Sequence, residues 1–388
     1  MSTTRRALPA FGGLSAPAQL TVEGAGIVCG AAVFVVVGVV ALLLFWGRTL
    51  PIAGPDSLGQ FVAIAGGIIA FLAYLTGRLW RREGLTPFQT TGEARPAPQP
   101  RSQAPSALGS RHRSALPLSS TAGVDIFDTF AIALAHGILA LLGWLVLGAV
   151  LANGFQDATV YHLSATALAA AAAGVTGYAV FLSAARMDLM RLSTVLAEFA
   201  VVGILTSMLS APDPHWWQLH LSALGMTQSV SSLAFNLTLI IAGVIVTAIA
   251  RYATDARGIE DPRRRSAVLR VRVGLILIGV LLAGVGVFTL NISVTLHNVS
   301  AVGMVLVFAL VVFWVRGALP NAPRSFFVLG YVFFGAIVLM LVFFAVGYYV
   351  LTAAELVAGV LVFSWLIVYL RVSGAAAEEA ANVHVVED

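Results

Sequence analysis

Residues 24–46 read GAGIVCGAAVFVVVGVVALLLFW, a run of 23 residues without a charged side chain. A helix needs about 20 mainly apolar residues to cross the hydrocarbon core of a bilayer. The run is too long for the apolar part of a signal peptide, and no small-residue cleavage pattern follows it before Arg48. It therefore predicts a membrane-spanning helix that is kept in the protein.

The rest of the chain has the same character. Of the 388 residues, 59% are hydrophobic and only 10% are charged, whereas soluble domains are about 25% charged. A single soluble core does not grow beyond about 250–300 residues, so it cannot absorb this excess of apolar side chains. We predict an all-α, polytopic transmembrane helix bundle with ten spans, at residues 24–46, 57–79, 128–152, 162–184, 193–211, 230–251, 271–292, 299–316, 325–346 and 351–370.

The basic residues predict the sidedness of the bundle. All 22 are arginine, and with ten spans and both termini in the cytoplasm only Arg48 falls on the outer side. Such a bias is the positive-inside signal of a membrane protein. The net charge of +4 therefore reports topology, and we expect no nucleic-acid partner. The lack of lysine, with abundant Ala, Gly and Val, is typical of a GC-rich bacterial genome, so we expect a multi-pass protein of a bacterial cytoplasmic (inner) membrane.

A polar stretch divides the chain into modules. Residues 81–126 are rich in Pro, Ser and Arg and have little to bury, which predicts a disordered cytoplasmic linker that could hold a protein partner. The predicted order of modules is a cytoplasmic tail (1–23), a transmembrane hairpin (24–80), the linker (81–126), an eight-helix membrane domain (127–371) and a second cytoplasmic tail (372–388).

A short motif recurs at the predicted outer ends of three helices. Each copy is a histidine, one or two residues, and then Ser-Ala, beginning at His162, His220 and His297. The shared depth and direction suggest three hairpin repeats followed by a final hairpin. Helix capping by the serines is the simpler interpretation, because serine is a favoured N-cap residue.

Polar residues inside the outer half of the membrane predict a site there. Such residues tend to face the interior of a bundle or a wet cavity. We predict an outward-facing site for a small molecule or lipid, with Glu355 as the main titrating group, lined by His162, His220, Asn236, Asn291, His297 and Glu355. Membrane lipids are expected partners, and a secondary transporter or a lipid-handling factor is the expected class of protein.

Two other classes stay open at this stage. His162, His220 and His297 with one carboxylate form a set that could bind zinc, and this would suit a membrane-embedded metalloenzyme acting on lipid or envelope substrates. No local ligand spacing such as H-E-x-x-H supports zinc, so we predict no cofactor. No P-loop, G-x-S-x-G motif or pair of cysteines is present, and enzymatic activity is not expected. The second alternative is a non-catalytic membrane scaffold.

One region carries a family resemblance. Leu219 to Gly225 (LHLSALG), Phe235-Asn236 and Leu296-His297-Asn298 resemble the pattern of an uncharacterised family of bacterial six-helix integral membrane proteins. That pattern is an ISxLG-like loop, an FN pair and a histidine before the fourth helix, and here Leu221 replaces the usual isoleucine. The family is a domain of unknown function, distantly similar to DRAM-type membrane proteins. The resemblance covers roughly residues 193–371 and implies a fold without an activity.

Overall fold

The computed structural model describes residues 16–83, 121–226, 229–254 and 259–387. This part contains ten helices that are long and apolar enough to cross a membrane, so the predicted all-α transmembrane bundle is confirmed. The helices are α1 (Ala16–Phe45), α2 (Leu58–Glu83), α3 (Thr121–Gly154), α4 (His162–Ala185), α5 (Leu189–Leu209), α6 (Val230–Tyr252), α7 (Pro262–Val287), α8 (Val294–Ala318), α9 (Arg324–Ala345) and α10 (Leu351–Glu387). Most of the predicted linker, residues 84–120, and most of the first tail lie outside the described residues.

The first four helices pack with one another. Helix α1 lies along α4, and α2 packs against both α3 and α4, while α1 and α2 have little contact with each other. Two short antiparallel strands, β1 (Thr49–Pro51) and β2 (Thr159–Tyr161), join the α1–α2 and α3–α4 connections. Helices α1 and α2, which correspond to the predicted hairpin 24–80, thus pack mainly against α3 and α4.

The last six helices form the rest of the bundle. Helices α5 to α8 pack in sequence order, and α10 returns against α5 with α9 on its other side. Helix α3 touches α5 and α6 and so connects the two groups of helices. The largest apolar cluster runs through this region and includes the fully buried Phe199, Phe308 and Trp365. The polar residues discussed below lie at one end of it.

Glycines allow two pairs of helices to approach each other closely. A Cβ atom at Gly243 of α6 would lie 2.3 Å from the carbonyl oxygen of Gly279 in α7. A Cβ atom at Gly174 of α4 would lie 3.1 Å from the carbonyl oxygen of Gly30 in α1. Small residues such as Gly174 therefore serve close packing of the membrane helices.

Alternating helix directions gather the connections at two ends of the bundle. We call the end that holds residues 46–57, 155–161, 210–226, 288–293 and 346–350 the arginine-poor end. Of the arginines in the described residues, Arg48 alone lies there, and the others lie in the opposite half, the arginine-rich end. Gly347, at φ +75°, lies in the turn between α9 and α10.

One intramembrane carboxylate has a different role from the one expected. The sequence places Asp128 at the start of a helix, where the positive helix N-terminus would stabilise it. In the structure α3 begins earlier, at Thr121, so Asp128 lies two turns inside the helix. It is 2% exposed and forms an ion pair with Arg251 at the end of α6. This pair joins α3 to α6 at the arginine-rich end.

Candidate functional site

The candidate site is built around a short turn in the α5–α6 connection. Residues Leu221–Gly225 form a 3₁₀ helix at the arginine-poor end, which we call the 3₁₀ turn. The first N–H groups of any helix lack partners within it and need an outside acceptor. Within the described residues, the side chain of the N-cap residue His220 makes no such bond. The acceptor must therefore come from another part of the chain.

Glu355 of α10 supplies this acceptor. The backbone N–H of Leu221 donates to Oε2 of Glu355 at 2.5 Å, and the same carboxylate faces the backbone N–H and the hydroxyl of Ser222. A carboxylate that accepts backbone N–H groups forms charge-assisted bonds, which are stronger than neutral ones. Glu355 thus caps the 3₁₀ turn from a helix that is more than 100 residues away in the sequence.

His297 of α8 meets the same turn from another direction. Its imidazole is buried, with Nδ1 2.9 Å from the carbonyl oxygen of Phe288 and Nε2 3.0 Å from Oγ of Ser222. A carbonyl oxygen only accepts, so Nδ1 must carry a proton. Ser222 therefore stands between the imidazole and the carboxylate, and the three side chains join α8, the 3₁₀ turn and α10. We call Ser222, His297 and Glu355 the polar triplet.

The polar triplet can carry a proton in two arrangements. With a neutral imidazole and a protonated Glu355, the carboxyl O–H donates to Ser222, and the Ser222 hydroxyl donates to Nε2. With a charged imidazole and an ionised Glu355, Nε2–H donates to Ser222, and the hydroxyl donates to the carboxylate. Each group keeps a partner in both states, as its hydrogen-bonding capacity allows. The chain can therefore move a proton between α8 and α10 without leaving a buried group unpaired.

Two asparagines hold the other end of the 3₁₀ turn. Nδ2 of Asn236 in α6 donates to the carbonyl oxygen of Gly225 at 3.1 Å, and Nδ2 of Asn291 donates to the carbonyl oxygen of Met226. The hydroxyl of Ser232 also donates to Gly225 at 3.2 Å. These bonds satisfy the last carbonyl groups of the turn. Both asparagines fix the position of the turn, and neither points to a ligand by itself.

The two remaining predicted histidines have different places. His220 begins the 3₁₀ turn, and its Nδ1 is buried without a hydrogen-bond partner among the described residues. Burial lowers the pKa of His220. His162 is the first residue of α4, where its ring lies 5.5 Å from that of Trp46. Of the predicted site residues, the structure thus gathers His220, Asn236, Asn291, His297 and Glu355 around the turn and leaves His162 beside α1.

The serines of the repeated motif are not the helix caps. The N-cap residues of α6 and α8 are Ser229 and Ser293, whose side chains accept from the backbone N–H of Ser232 and Leu296. Ser222 instead links His297 to Glu355. This role was missed from the sequence because the capping interpretation covered every copy of the motif. In the sequence these three residues are far apart. Only the packing of the helices shows that His297 and Glu355 lie on either side of this serine.

The positions of these side chains also determine whether the site could bind a metal ion or act as a nucleophile. Among residues 16–83, 121–226, 229–254 and 259–387, no group of three or more His, Cys, Asp or Glu side chains is placed to hold a metal ion. Ser222 and His297 resemble a nucleophile and its base, but acyl transfer also needs free backbone N–H groups for the oxyanion. Glu355 occupies the N–H of Leu221 and faces that of Ser222. The site is therefore better suited to holding and moving a proton.

Comparison with known proteins identifies the region but not its activity. Residues 194–372 match the family model described as Protein of unknown function (DUF998). This range runs from within α5 to α10 and contains every residue of the polar triplet. The predicted membership of this region in a family of unknown function is confirmed. No curated protein and no solved structure shows significant similarity to the chain.

Proposed function

We propose that the protein is a secondary transporter for a small molecule or lipid, because the polar triplet links a loop to two membrane helices through side chains that can exchange a proton. In this proposal, protonation of the polar triplet opens the α5–α6 connection at the arginine-poor end. The observation that carries the proposal is the bond from Leu221 to Glu355. It ties a loop to a membrane helix through a group that can gain and lose a proton.

The hydrogen bond between Leu221 and Glu355 explains how a proton would release the α5–α6 connection. An ionised carboxylate is a strong acceptor for the N–H groups at the start of the 3₁₀ turn, while a protonated one is a weaker, neutral acceptor. Charge-assisted bonds contribute about 1.5–3 kcal/mol each, compared with about 1 kcal/mol for neutral ones. Protonation would therefore weaken the bond between Leu221 and Glu355 by an amount comparable to the free energies that separate open and closed states of a protein. Ser222 and His297 provide the path by which the proton reaches or leaves Glu355.

The arginine distribution supports an outward-facing position for this end. Positive side chains are kept on the cytoplasmic side, and those in the described residues lie, apart from Arg48, at the arginine-rich end. The α5–α6 connection would then face the outside of a bacterial cytoplasmic membrane. A proton taken up there and released inside would supply the driving force for transport.

Cysteine labelling tests the opening of the turn. In a Cys29→Ala background, Leu224→Cys places a thiol at a position that is 2% exposed, and Leu219→Cys places one at a position that is 60% exposed. The ratio of the two maleimide labelling rates removes the ordinary effect of pH on thiol reactivity. We expect this ratio to rise as the pH falls. Glu355→Gln should make it high at neutral pH and remove most of its pH dependence, because glutamine is a neutral acceptor that does not titrate.

Glu198→Gln is the matched control, since it neutralises an exposed glutamate near the middle of α5, away from the 3₁₀ turn. It should leave the pH dependence unchanged. A Glu355→Gln protein that behaves like its parent would contradict the proposal.

Transport itself is tested in cells. A deletion strain should differ from its parent in solute uptake or envelope lipids, and the Glu198→Gln gene should restore the parental profile. The Glu355→Gln gene should not, although its product reaches the membrane in equal amount. Full restoration by Glu355→Gln would favour the scaffold alternative, because a scaffold does not need a titrating group at this place.

A further inference from the structure

A cavity lies at the opposite end of the molecule from the polar triplet. It has a volume of about 270 Å³ and lies at the arginine-rich end, where α2, α3 and the start of α5 meet. Its walls are mainly apolar, with Tyr74 from α2, Ile132 from α3 and Leu192 from α5. By this measure a cavity needs only about 10–15 Å³ to hold one water molecule, so the space is large enough for a group of several heavy atoms.

Arg78 brings a positive charge to this cavity. It lines the space from α2, and its Nε is buried without a hydrogen-bond partner among the described residues. A guanidinium group has five N–H donors in a planar fork that matches the oxygens of a phosphate or carboxylate. Burying such a donor without a partner is costly. The site therefore favours a ligand that brings an anionic oxygen to Arg78.

Asp188 brings a negative charge to the same cavity. It is the N-cap residue of α5, and Oδ1 accepts the backbone N–H of Arg191 at 2.7 Å. Its side chain is exposed, and it lines the cavity with Arg78. In the part of the chain that the structure describes, no ion pair joins these two residues.

From this placement we propose that the cavity binds the zwitterionic headgroup of an ethanolamine phospholipid. The phosphate accepts from Arg78, and the ammonium group lies against Asp188. The apolar side chains of Tyr74, Ile132 and Leu192 cover the glycerol and the first carbons of the acyl chains. One positive and one negative group complement a zwitterion better than a purely anionic lipid, because an anionic headgroup would leave Asp188 facing like charge.

The cavity lies within two turns of the ends of three candidate spans. In a bilayer this is the level of the lipid headgroups, so a lipid would reach the cavity by sliding in the plane of the membrane. A soluble headgroup analogue shares the polar chemistry but not the acyl chains. The two sources are therefore separable by experiment. The site is also independent of the proposed transport function, since it shares no residue with the polar triplet.

Native mass spectrometry of the purified full-length protein tests the proposal. Phosphatidylethanolamine, phosphatidylglycerol and water-soluble glycerophosphoethanolamine are added separately at equal concentration. We expect the parent protein to retain phosphatidylethanolamine in preference to the other two. Arg78→Gln should weaken this binding about tenfold, because it removes a charged hydrogen-bonding group. Arg78→Lys should give an intermediate loss, because it keeps the charge and loses the fork.

Asp188→Asn separates charge from folding. Asparagine is as good an N-cap as aspartate, so α5 should be preserved while the negative charge is lost. We expect this variant to lose its preference for phosphatidylethanolamine over phosphatidylglycerol. Arg316→Gln is the matched control, since it removes an exposed arginine of α8 at the same end and should bind like the parent. Glu355→Gln should also bind like the parent, even if it abolishes transport.

Three results would overturn the proposal. The first is parental binding of phosphatidylethanolamine by Arg78→Gln. The second is equal retention of the two lipids by the parent, which would remove the zwitterionic character of the site. The third is equal binding of glycerophosphoethanolamine and the lipid, which would make a soluble zwitterion the ligand. Melting temperatures without lipid show whether Arg78→Gln is folded, and the Asp188→Asn result decides the charge argument if it is not.

Discussion

The single unpartnered nitrogen of His220 gives the 3₁₀ turn a pH response of its own. Nδ1 is buried, and burial lowers the pKa of this histidine. A neutral nitrogen with a lone pair is cheaper to bury than a charged N–H without an acceptor. Because the pKa in the closed turn lies below that in the open turn, the open turn binds the proton more readily. The closed turn is thus most stable above the ordinary histidine pKa, about 6.5, and becomes less stable as the pH falls below it.

Replacing His220 should therefore flatten the acid part of this response. In the Leu224→Cys protein, we expect His220→Gln to reduce the increase in labelling between pH 7.5 and pH 5 while leaving the rate at pH 7.5 nearly unchanged. Labelling relative to Leu219→Cys is the measurement. His162→Gln serves as the control, because this residue lies beside Trp46 and away from the turn. An unchanged pH profile in His220→Gln would show that the acid response comes from other groups.

Sequence reasoning found most of the residues around the 3₁₀ turn but not their connections. Depth along a helix follows from hydropathy, so His297 and Glu355 could be assigned to the same layer of the membrane. Which helices are neighbours depends on long-range packing. Grouping His162 with these residues assumed that equal depth means proximity, whereas α4 packs on α1 and α2. The bond from Ser222 to His297 was hidden for the same reason.

At the scale of helices, the crossing of α6 and α7 allows a test of packing between backbones. A Cβ atom at Gly279 would lie 2.5 Å from the carbonyl oxygen of Gly243 and 2.3 Å from Oγ1 of Thr247. Both distances are far below van der Waals contact, and one of the opposing atoms belongs to the backbone. The two helices would have to separate, and the contacts beside the crossing would be lost.

We expect Gly279→Ala to destabilise the protein by about 1–3 kcal/mol, the usual cost of overpacking. Gly335→Ala on α9 is the control, since in the described part of the chain nothing lies within 4 Å of a Cβ there. It should be neutral, or stabilising by up to about 1 kcal/mol through helix propensity. Thermal unfolding of both variants in detergent gives the comparison. Equal melting temperatures would show that the crossing is looser than its geometry indicates.

Helix ends were predicted less well than helix existence. The last predicted span ends at residue 370, whereas the helix α10 continues to Glu387. The segment contains the run AAAEEAA, and alanine and glutamate are strong helix formers. Likewise α3 begins at Thr121, ahead of its first strongly apolar residues. A hydropathy window detects where a helix can be in lipid, and it cannot detect a polar extension beyond the membrane.

For the whole molecule, the packing shows a group of four helices followed by a group of six. The linker divides the sequence after α2, because composition is the only boundary visible there, and this division stays a prediction. The match over residues 194–372 begins within α5, which is the first helix of the second group. The cavity with Arg78 and Asp188 lies where these two groups meet. The sequence pattern of one helix does not show which other helices it contacts, so the cavity could not be predicted.

The orientation of the bundle is the property on which the transport proposal depends. If arginines are kept inside, the arginine-poor end faces out. In a Cys29→Ala background, Gln156→Cys places a thiol in the α3–α4 connection at that end, and Asn321→Cys places one in the α8–α9 connection at the other. Both positions are exposed, so their reaction with a reagent reports the side of the membrane.

A maleimide that cannot cross membranes should label Gln156→Cys in intact cells and Asn321→Cys only after lysis. The parent without cysteine corrects for background, and a permeant maleimide shows that both thiols react. The reverse pattern would place the polar triplet on the cytoplasmic side. The triplet could then still sense protons, but it would release the loop toward the cell interior, and the direction of transport argued from the arginines would be wrong.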